Sequence, residues 1–341
     1  MRIVKVLSVL AILLAVATFA AGAGQVLLNA AGATFPYPMY SKWFDVYHQA
    51  HPNVQINYQS IGSGGGIRQL IDKTVDFGAS DGPMNDDQLK QASVPIQHFP
   101  TVLGADVPSY NLPGVSAELN FTPEALAGIF LGKITKWNDP AITSANPGVK
   151  LPSDDIVVVH RSDGSGTTYI WTDYLSKISP EWQTKVGKAT SVNWPVGLGG
   201  KGNEGVSGLI QQTPDSVGYI ELIYAVQNKI AYGRVKNSAG VFVKADLASV
   251  SAAAAAAAKE MPDDFRVSIT NPPANKAAYP ISSFTWLLIP SKFSDAAKRD
   301  AVKDFLKWMM TTGQNDCEAL AYAKLPKEVV AKEMKAIAQI Q

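Results

Sequence analysis

The sequence predicts an α/β protein whose parallel strands end in small-residue turns and restart as helices. Two observations carry this. The first eighty residues repeat the order strand, small-residue turn, helix, the signature of a parallel α/β sheet. The same order returns at Val157-Val158-Val159, where a buried-strand run meets Arg161-Ser162-Asp163-Gly164-Ser165-Gly166-Thr167 and then a helical pattern of Tyr169, Ile170, Tyr174, Leu175 and Ile178. In such sheets ligands bind beyond the carboxyl ends of the strands.

Residues 1–23 read as a secretory signal peptide, with Arg2 and Lys5 basic, Val6 to Ala17 apolar, and Ala21-Gly22-Ala23 as the cleavage pattern. Cleavage after Ala20 is a weaker alternative because Thr18 is large for its position, and a membrane anchor is the competing reading of a moderately long apolar run. Cys317 is the only cysteine. No internal disulfide is then available and no cysteine follows the leader to carry lipid, so a soluble periplasmic or secreted protein is expected, not a lipoprotein. Removing the 23-residue leader from 341 residues leaves 318, enough for two domains. It also leaves 28 basic against 29 acidic residues, a formal charge of −1. That balance gives no electrostatic reason to expect nucleic acid or a membrane surface.

Val26 to Ala31 reads as a strand ending at Gly32. Thr34 follows as a cap or ligand hydroxyl, and Pro36 suits the first turn of a helix carrying Tyr40, Trp43, Phe44 and Tyr47. Val54, Ile56 and Tyr58 alternate as a second strand, which ends in Gly62 to Gly66 before a helix over Ile67 to Lys73. Val75 to Asp81 is a third strand ending in Ser80-Asp81. Pro100 to Gly114 is read as a possible crossing between lobes, and Ile281 to Ile289 as the possible return. A helix is expected over Pro123 to Phe130, and a loop with a short helix over Trp137 to Lys150. The glycine-rich run at 197–205 reads as a tight, exposed loop near the cleft, followed by a helix from Val206 to Gln212. Val217 to Tyr224 is strand or helix. The alanines at 252–258 favour helix but offer no wide apolar stripe, so a surface helix of the second lobe is expected. Helices over Ala296 to Thr311 and Val329 to Ile340 close the chain.

Thr34-Phe35, Ser63-Gly64, Ser80-Asp81 and Arg161 to Thr167 all bear hydroxyls. Together they offer helix N-termini, hydroxyls and one arginine fork to a single tetrahedral oxyanion. Each alone is also explained as a capped helix. Charge-assisted hydrogen bonds contribute roughly 1.5–3 kcal/mol each, so five or six exceed the roughly 8 kcal/mol of micromolar binding even after association costs. A carboxylate in an anion site repels the ligand unless a proton lies between them. Asp81 therefore favours phosphate over fully ionised sulfate, unless it is only a turn residue.

Other chemistries fit poorly. The 197–205 run lacks the Gly-Lys-Ser/Thr ending of a P-loop. His48, His51, His98 and His160 show no metal spacing, so neither a metal nor a cofactor is expected. Gly164-Ser165-Gly166 lacks the spacing of a nucleophile elbow, and His160 is the only nearby base for a Ser165 hydrolase.

Gly32-Ala33-Thr34-Phe35-Pro36, Ile61-Gly62-Ser63-Gly64-Gly65-Gly66, Val75 to Asp81, Leu131-Gly132-Lys133-Ile134-Thr135-Lys136-Trp137, Arg161 to Thr167 and Trp194-Pro195-Val196-Gly197-Leu198-Gly199-Gly200-Lys201-Gly202 stand in this order. As a set, spread from about residue 28 to the end, they resemble the PstS-type phosphate-binding proteins, the periplasmic receptors of the phosphate ABC importer. The resemblance implies a two-lobed periplasmic-binding-protein fold, type II-like, hinged and without catalytic residues. On that implication lobe I spans 24–108 plus 279–341, and lobe II spans 109–278. The implied phosphate ligands are Thr34, Phe35, Ser63, Asp81, Arg161, Ser165, Gly166 and Thr167, with Asp163 holding Arg161. Implied partners are inorganic phosphate and the importer's membrane permease and ATPase subunits, met by a monomer in the periplasm. Two departures stand out: Gly64 where many members have serine, and Gly82 where many have alanine or serine.

Overall fold

The computed structural model describes residues 24–341, so the expected leader lies outside the described residues. Strands β1 (Val26–Gly32), β2 (Val54–Ser60), β3 (Phe77–Ser80), β4 (Ile96–Asn111), β6 (Val157–Arg161), β7 (Leu198–Gly200), β8 (Ser216–Glu221), β9 (Ala231–Tyr232) and β12 (Ser282–Pro290) form one sheet, with β9 on the edge of β4. Its order is β2-β1-β3-β12-β4-β8-β6-β7. A small second sheet joins β5 (Asn120–Phe121), β10 (Arg234–Lys236) and β11 (Phe242–Val243). The helices are α1 (Tyr37–Ala50), α2 (Ser63–Ile71), α3 (Asp86–Gln91), α4 (Pro123–Phe130), α5 (Pro140–Thr143), α6 (Gly166–Ile178), α7 (Pro180–Lys185), α8 (Gly202–Gln212), α9 (Leu222–Gln227), α10 (Leu247–Lys259), α11 (Ala296–Thr311) and α12 (Lys327–Ala338).

The large sheet has two halves built alike. In the first, β1 pairs in parallel with β2 and β3; in the second, β6 pairs in parallel with β8 and β7. The halves share β4, which pairs antiparallel with β12 from Ile96 to Ala105 and with β8 from Asp106 to Asn111. The sheet is therefore mixed, not purely parallel as the repeats suggest. A strand that runs through both halves, and the strand that returns beside it, add antiparallel ladders to each parallel set. The register slips by one residue between Thr285 and Trp286, opposite Val102 and Pro100. Pro100 has no N–H for the ladder, and a bulge accommodates it.

Helix packing follows side-chain period. Helix α1 has Pro38 in its first turn and buries Met39, Tyr40, Trp43, Phe44 and Tyr47 along one face. Full burial of side chains of this size contributes roughly 1.5–3 kcal/mol each. The indole N–H of Trp43 donates to the Gly313 carbonyl at 2.7 Å, fixing α1 against the C-terminal region.

The alanine tract departs from its surface expectation. It lies in α10, whose start is locked by a reciprocal cap between Asp246 and Ser249. Val250, Ala253, Ala254 and Ala258 are buried where α10 packs on β4 and β12. Alanine suits this place because a methyl side chain lets the helix backbone lie close on the two crossing strands.

Candidate functional site

The carboxyl ends of β1, β3 and β6 point toward the line where the halves meet. Past β1, the Ala33 N–H donates to the Ala79 carbonyl of β3, which draws Thr34 beside Asp81. Three tyrosine hydroxyls then grip three successive carbonyls: Tyr58 on Ala33 at 2.7 Å, Tyr224 on Thr34 at 2.6 Å and Tyr322 on Phe35 at 2.6 Å. In a trans peptide the N–H opposes the C=O, so the Tyr224 bond turns the Phe35 N–H away from Tyr224.

Ser63 opens α2, so the residues counted as a glycine turn already belong to its first helical turn. Its hydroxyl accepts the Asp81 N–H at 3.2 Å. Asp81 is buried; Oδ1 accepts the Thr285 hydroxyl at 2.7 Å, and Oδ2 faces Ser63 Oγ at 3.5 Å. Burial pushes the Asp81 carboxyl up to about 7, against the Thr285 hydrogen bond, the Arg161 charge and the Ser63 hydroxyl, all of which pull it down.

In the second half, Arg161 is held at the end of β6 by the Tyr219 hydroxyl, which accepts its backbone N–H at 3.1 Å. The guanidinium is buried and forks onto Asp163: Nε to Oδ1 at 2.8 Å and Nη2 to Oδ2 at 2.6 Å. Nη1 donates to Thr167 Oγ1 at 3.1 Å. A guanidinium has five N–H donors, so two remain, one on each terminal nitrogen. Burial raises the Asp163 carboxyl, but its bonds and charge with Arg161 and the Gly202 N–H outweigh that and hold it below the ordinary range. Ser165 caps α6 by accepting the Thr168 N–H at 3.0 Å. The first-turn N–H groups of Gly166 and Thr167 have no intrahelical acceptor and carry the positive end of the helix dipole.

The Ser165 hydroxyl therefore meets a backbone N–H, not an imidazole. His160 instead stacks on Trp194 with ring centroids 4.8 Å apart, and its Nδ1 lies 3.0 Å from the Arg161 carbonyl. This geometry gives a serine nucleophile no base.

The halves touch directly. The Gly64 N–H donates to the Gly164 carbonyl at 2.9 Å. Gly62, at φ +90°, lies where a Cβ would stand 2.3 Å from Asp163 Oδ2. A Cβ on Gly82 would come within 2.7 Å of the Tyr169 ring, so glycine at that position makes room for an aromatic from the other half. A Cβ on Gly166 would stand 2.3 Å from Asp81 Oδ2 and 2.4 Å from Ser63 Oγ. Gly166→Ala is expected to leave α6 intact but hold the halves apart. Oxyanion affinity should fall roughly 10- to 100-fold with little change in melting temperature. Titration calorimetry beside thermal denaturation checks this, and unchanged affinity contradicts it.

The structure thus brings Thr34, Ser63, Asp81, Arg161, Ser165, Gly166 and Thr167 into one buried cluster, with Phe35 beside Thr34 and Asp163 behind Arg161. Sequence reading missed Asn203, Thr285, Tyr219 and Tyr224. The 197–205 run is exposed at Gly197 to Gly199 and Lys201 as expected, but it is not a loop throughout. Leu198–Gly200 is instead a short strand on β6, and Gly202 and Asn203, both buried, begin α8.

The model of the PBP superfamily domain matches residues 17–312. The phosphate-binding protein PstS of Xylella fastidiosa strain Temecula1 is 48% identical over 90% of this chain and 83% of its own. The PstS of Pasteurella multocida is 46% identical over 94% of this chain and 93% of its own. This chain belongs to the PstS family of phosphate-binding proteins. The solved phosphate-binding protein of Stenotrophomonas maltophilia shares the fold at a TM-score of 0.71 and 18% identity, over 92% of this chain and 94% of that one. The fold is thus the two-lobed α/β fold of that superfamily, and the PstS relatives are named as binding proteins, not enzymes.

One electrostatic feature of this PstS-family site lies beneath it. Asp106 and Glu221 stand directly opposite in the β4–β8 ladder, and both are buried. Burial, reinforced by the Asp81 charge and, for Asp106, by Glu221, holds both carboxyls well above their ordinary range, against backbone N–H bonds that pull Glu221 down.

Proposed function

We propose that this protein binds inorganic phosphate between its lobes and delivers it to the membrane permease and ATPase subunits of a phosphate ABC importer. The observation that carries the reading is the polarity of the cluster. Two guanidinium N–H groups without an acceptor among the described residues, the hydroxyls of Thr34, Ser165 and Thr167 and the first turn of α6 supply donors, and Asp81 Oδ2, which takes only a 3.5 Å bond from the Ser63 hydroxyl, is the acceptor among them. A singly protonated oxyanion satisfies both kinds of group. Fully ionised sulfate leaves Asp81 facing a negative charge without a proton. Lobe I is taken as 24–108 plus 279–341 and lobe II as 109–278, a division supported by the change of β4's partner at Ala105–Asp106. The leader-like pattern at 1–23 and the PstS relatives support a periplasmic location, and the protein is taken to act there as a free monomer. Closure of both lobes on the ligand would present one joined surface to the permease.

Titration calorimetry of the mature protein at pH 8 tests the reading. Phosphate is expected to bind at micromolar affinity or tighter, undisturbed by millimolar sulfate. Equal affinities for the two ions would sink the role given to Asp81, and absence of phosphate binding would sink the function.

A further inference from the structure

Asn203 touches both halves of the site through one amide. Its orientation is fixed by a group that has no choice: the Glu221 backbone N–H donates to Asn203 Oδ1 at 2.9 Å. The other end is therefore the NH2, and its two hydrogens go to Thr34 Oγ1 at 2.9 Å and Thr167 Oγ1 at 3.1 Å. Each threonine oxygen also receives a second obligate donor. Thr34 Oγ1 takes the Asn203 backbone N–H at 3.3 Å, and Thr167 Oγ1 takes Arg161 Nη1 at 3.1 Å. A hydroxyl has two acceptor lone pairs and one proton. Both lone pairs are filled on both residues, so each O–H must donate. Both hydroxyls are buried, and among the described residues neither proton has an acceptor.

We propose that Asn203 is a specificity-determining positioning residue, which fills the acceptor sites of Thr34 and Thr167 and so obliges both hydroxyls to donate to the bound oxyanion. The inference rests on the phosphate reading and deepens it. A hydroxyl free to rotate can give a proton or accept one, and so tolerates ligands of differing protonation. With both threonines locked as donors, the wall offers the ligand's proton Asp81 in place of several rotors. The class of ligand admitted is an oxyanion that accepts at nearly every oxygen and carries one proton for Asp81. Asn203 also joins the halves, because Thr34 lies in the first and α8 in the second.

Asn203→Asp keeps the size and the acceptor for the Glu221 N–H but removes the NH2. Both threonine hydroxyls can then turn onto the new carboxylate and away from the anion. Phosphate affinity is expected to fall roughly 100-fold or more, since two hydrogen bonds to a charged ligand are lost. The same substitution in a Thr34→Val/Thr167→Val background has no hydroxyl to turn. There the further loss should be under about tenfold, and this residue isolates simple charge repulsion. Asn203→Ala, measured in the same two backgrounds, repeats the cycle without the new charge, and thermal denaturation confirms that each variant is folded. A loss of equal size in both backgrounds would overturn the role of Asn203 while leaving the phosphate reading intact. If the wild-type protein fails to bind phosphate, that reading fails first.

Discussion

Arg161→Met is expected to weaken phosphate binding by roughly 10²- to 10⁴-fold. The guanidinium spends three of its N–H groups on Asp163 and Thr167, which leaves two for a ligand. Charge-assisted hydrogen bonds contribute roughly 1.5–3 kcal/mol each, and about 1.4 kcal/mol is a tenfold change in affinity. The same substitution strips the paired bonds from Asp163, whose side chain is only 13% exposed. Breaking a buried pair by removing one partner costs about 3–5 kcal/mol, so the melting temperature should fall as well. The two losses separate in the double variant Arg161→Met/Asp163→Asn. Neutralising the orphaned acid should recover much of the stability and none of the affinity. Arg161→Lys should fall between, because a point charge cannot match both Asp163 and the ligand. Calorimetric titration and thermal denaturation of the three variants decide the matter. Phosphate affinity within tenfold of wild type in Arg161→Met would show that this arginine is structural.

What the sequence disclosed and what it hid divide by distance along the chain. Arg161, Asp163, Ser165 and Thr167 lie within one strand-to-helix turn, and their partnerships span two to six residues. Local pattern rules are built for that scale. Asn203 reaches Thr34 across 169 residues, and Thr285 reaches Asp81 across 204. Seen locally, Asn203 is one polar residue in a glycine-rich run and Thr285 one of several hydroxyls in an apolar strand. Their orientation depends on how the halves pair, which no local period encodes. Asn203 did leave a trace, since it stands directly after the Gly-Lys-Gly that ends the Trp194 motif.

The crossing over Pro100 to Gly114 and its return over Ile281 to Ile289 were legible, but the crossing's being one continuous strand was not, for a different reason. Pro100 and Pro108 argue against an uninterrupted central strand, yet β4 runs through both. Beside Pro100 the register slip removes the need for an N–H. Pro108 sits in the β8 ladder opposite Tyr219, where its own carbonyl accepts the Gly233 N–H. The alanine tract misled in the opposite direction. A small-residue face looks too weak to bury, but it suits a helix lying close to two strands.

Asp81→Asn should separate proton reading from anion binding, and the pH dependence supplies the sign. In the ligand-free protein, burial moves the Asp81 carboxyl from its ordinary 3.8 to about 7. The folded state then holds a proton that the unfolded chain releases between these two values. Stability from this group is therefore full below about pH 4 and is lost as the pH rises toward about 7. Above that the buried carboxylate costs at most about 4 kcal/mol. Asp81→Asn should melt higher than wild type at pH 8 without ligand, and the advantage should vanish at pH 4. On the proposed reading, ligand choice turns on the same proton. Phosphate brings its own, so an ionised Asp81 receives it. Sulfate brings none and must wait for a protonated Asp81, so its affinity for wild type should rise about tenfold between pH 8 and pH 6 and then level off. In Asp81→Asn the amide can donate at every pH, so sulfate binding should become stronger at pH 8 and lose its pH dependence. Competition titrations of both ions at pH 5, 6, 7 and 8 check these outcomes. Sulfate affinity in wild type that is flat across this range would break the link between Asp81 protonation and anion selection.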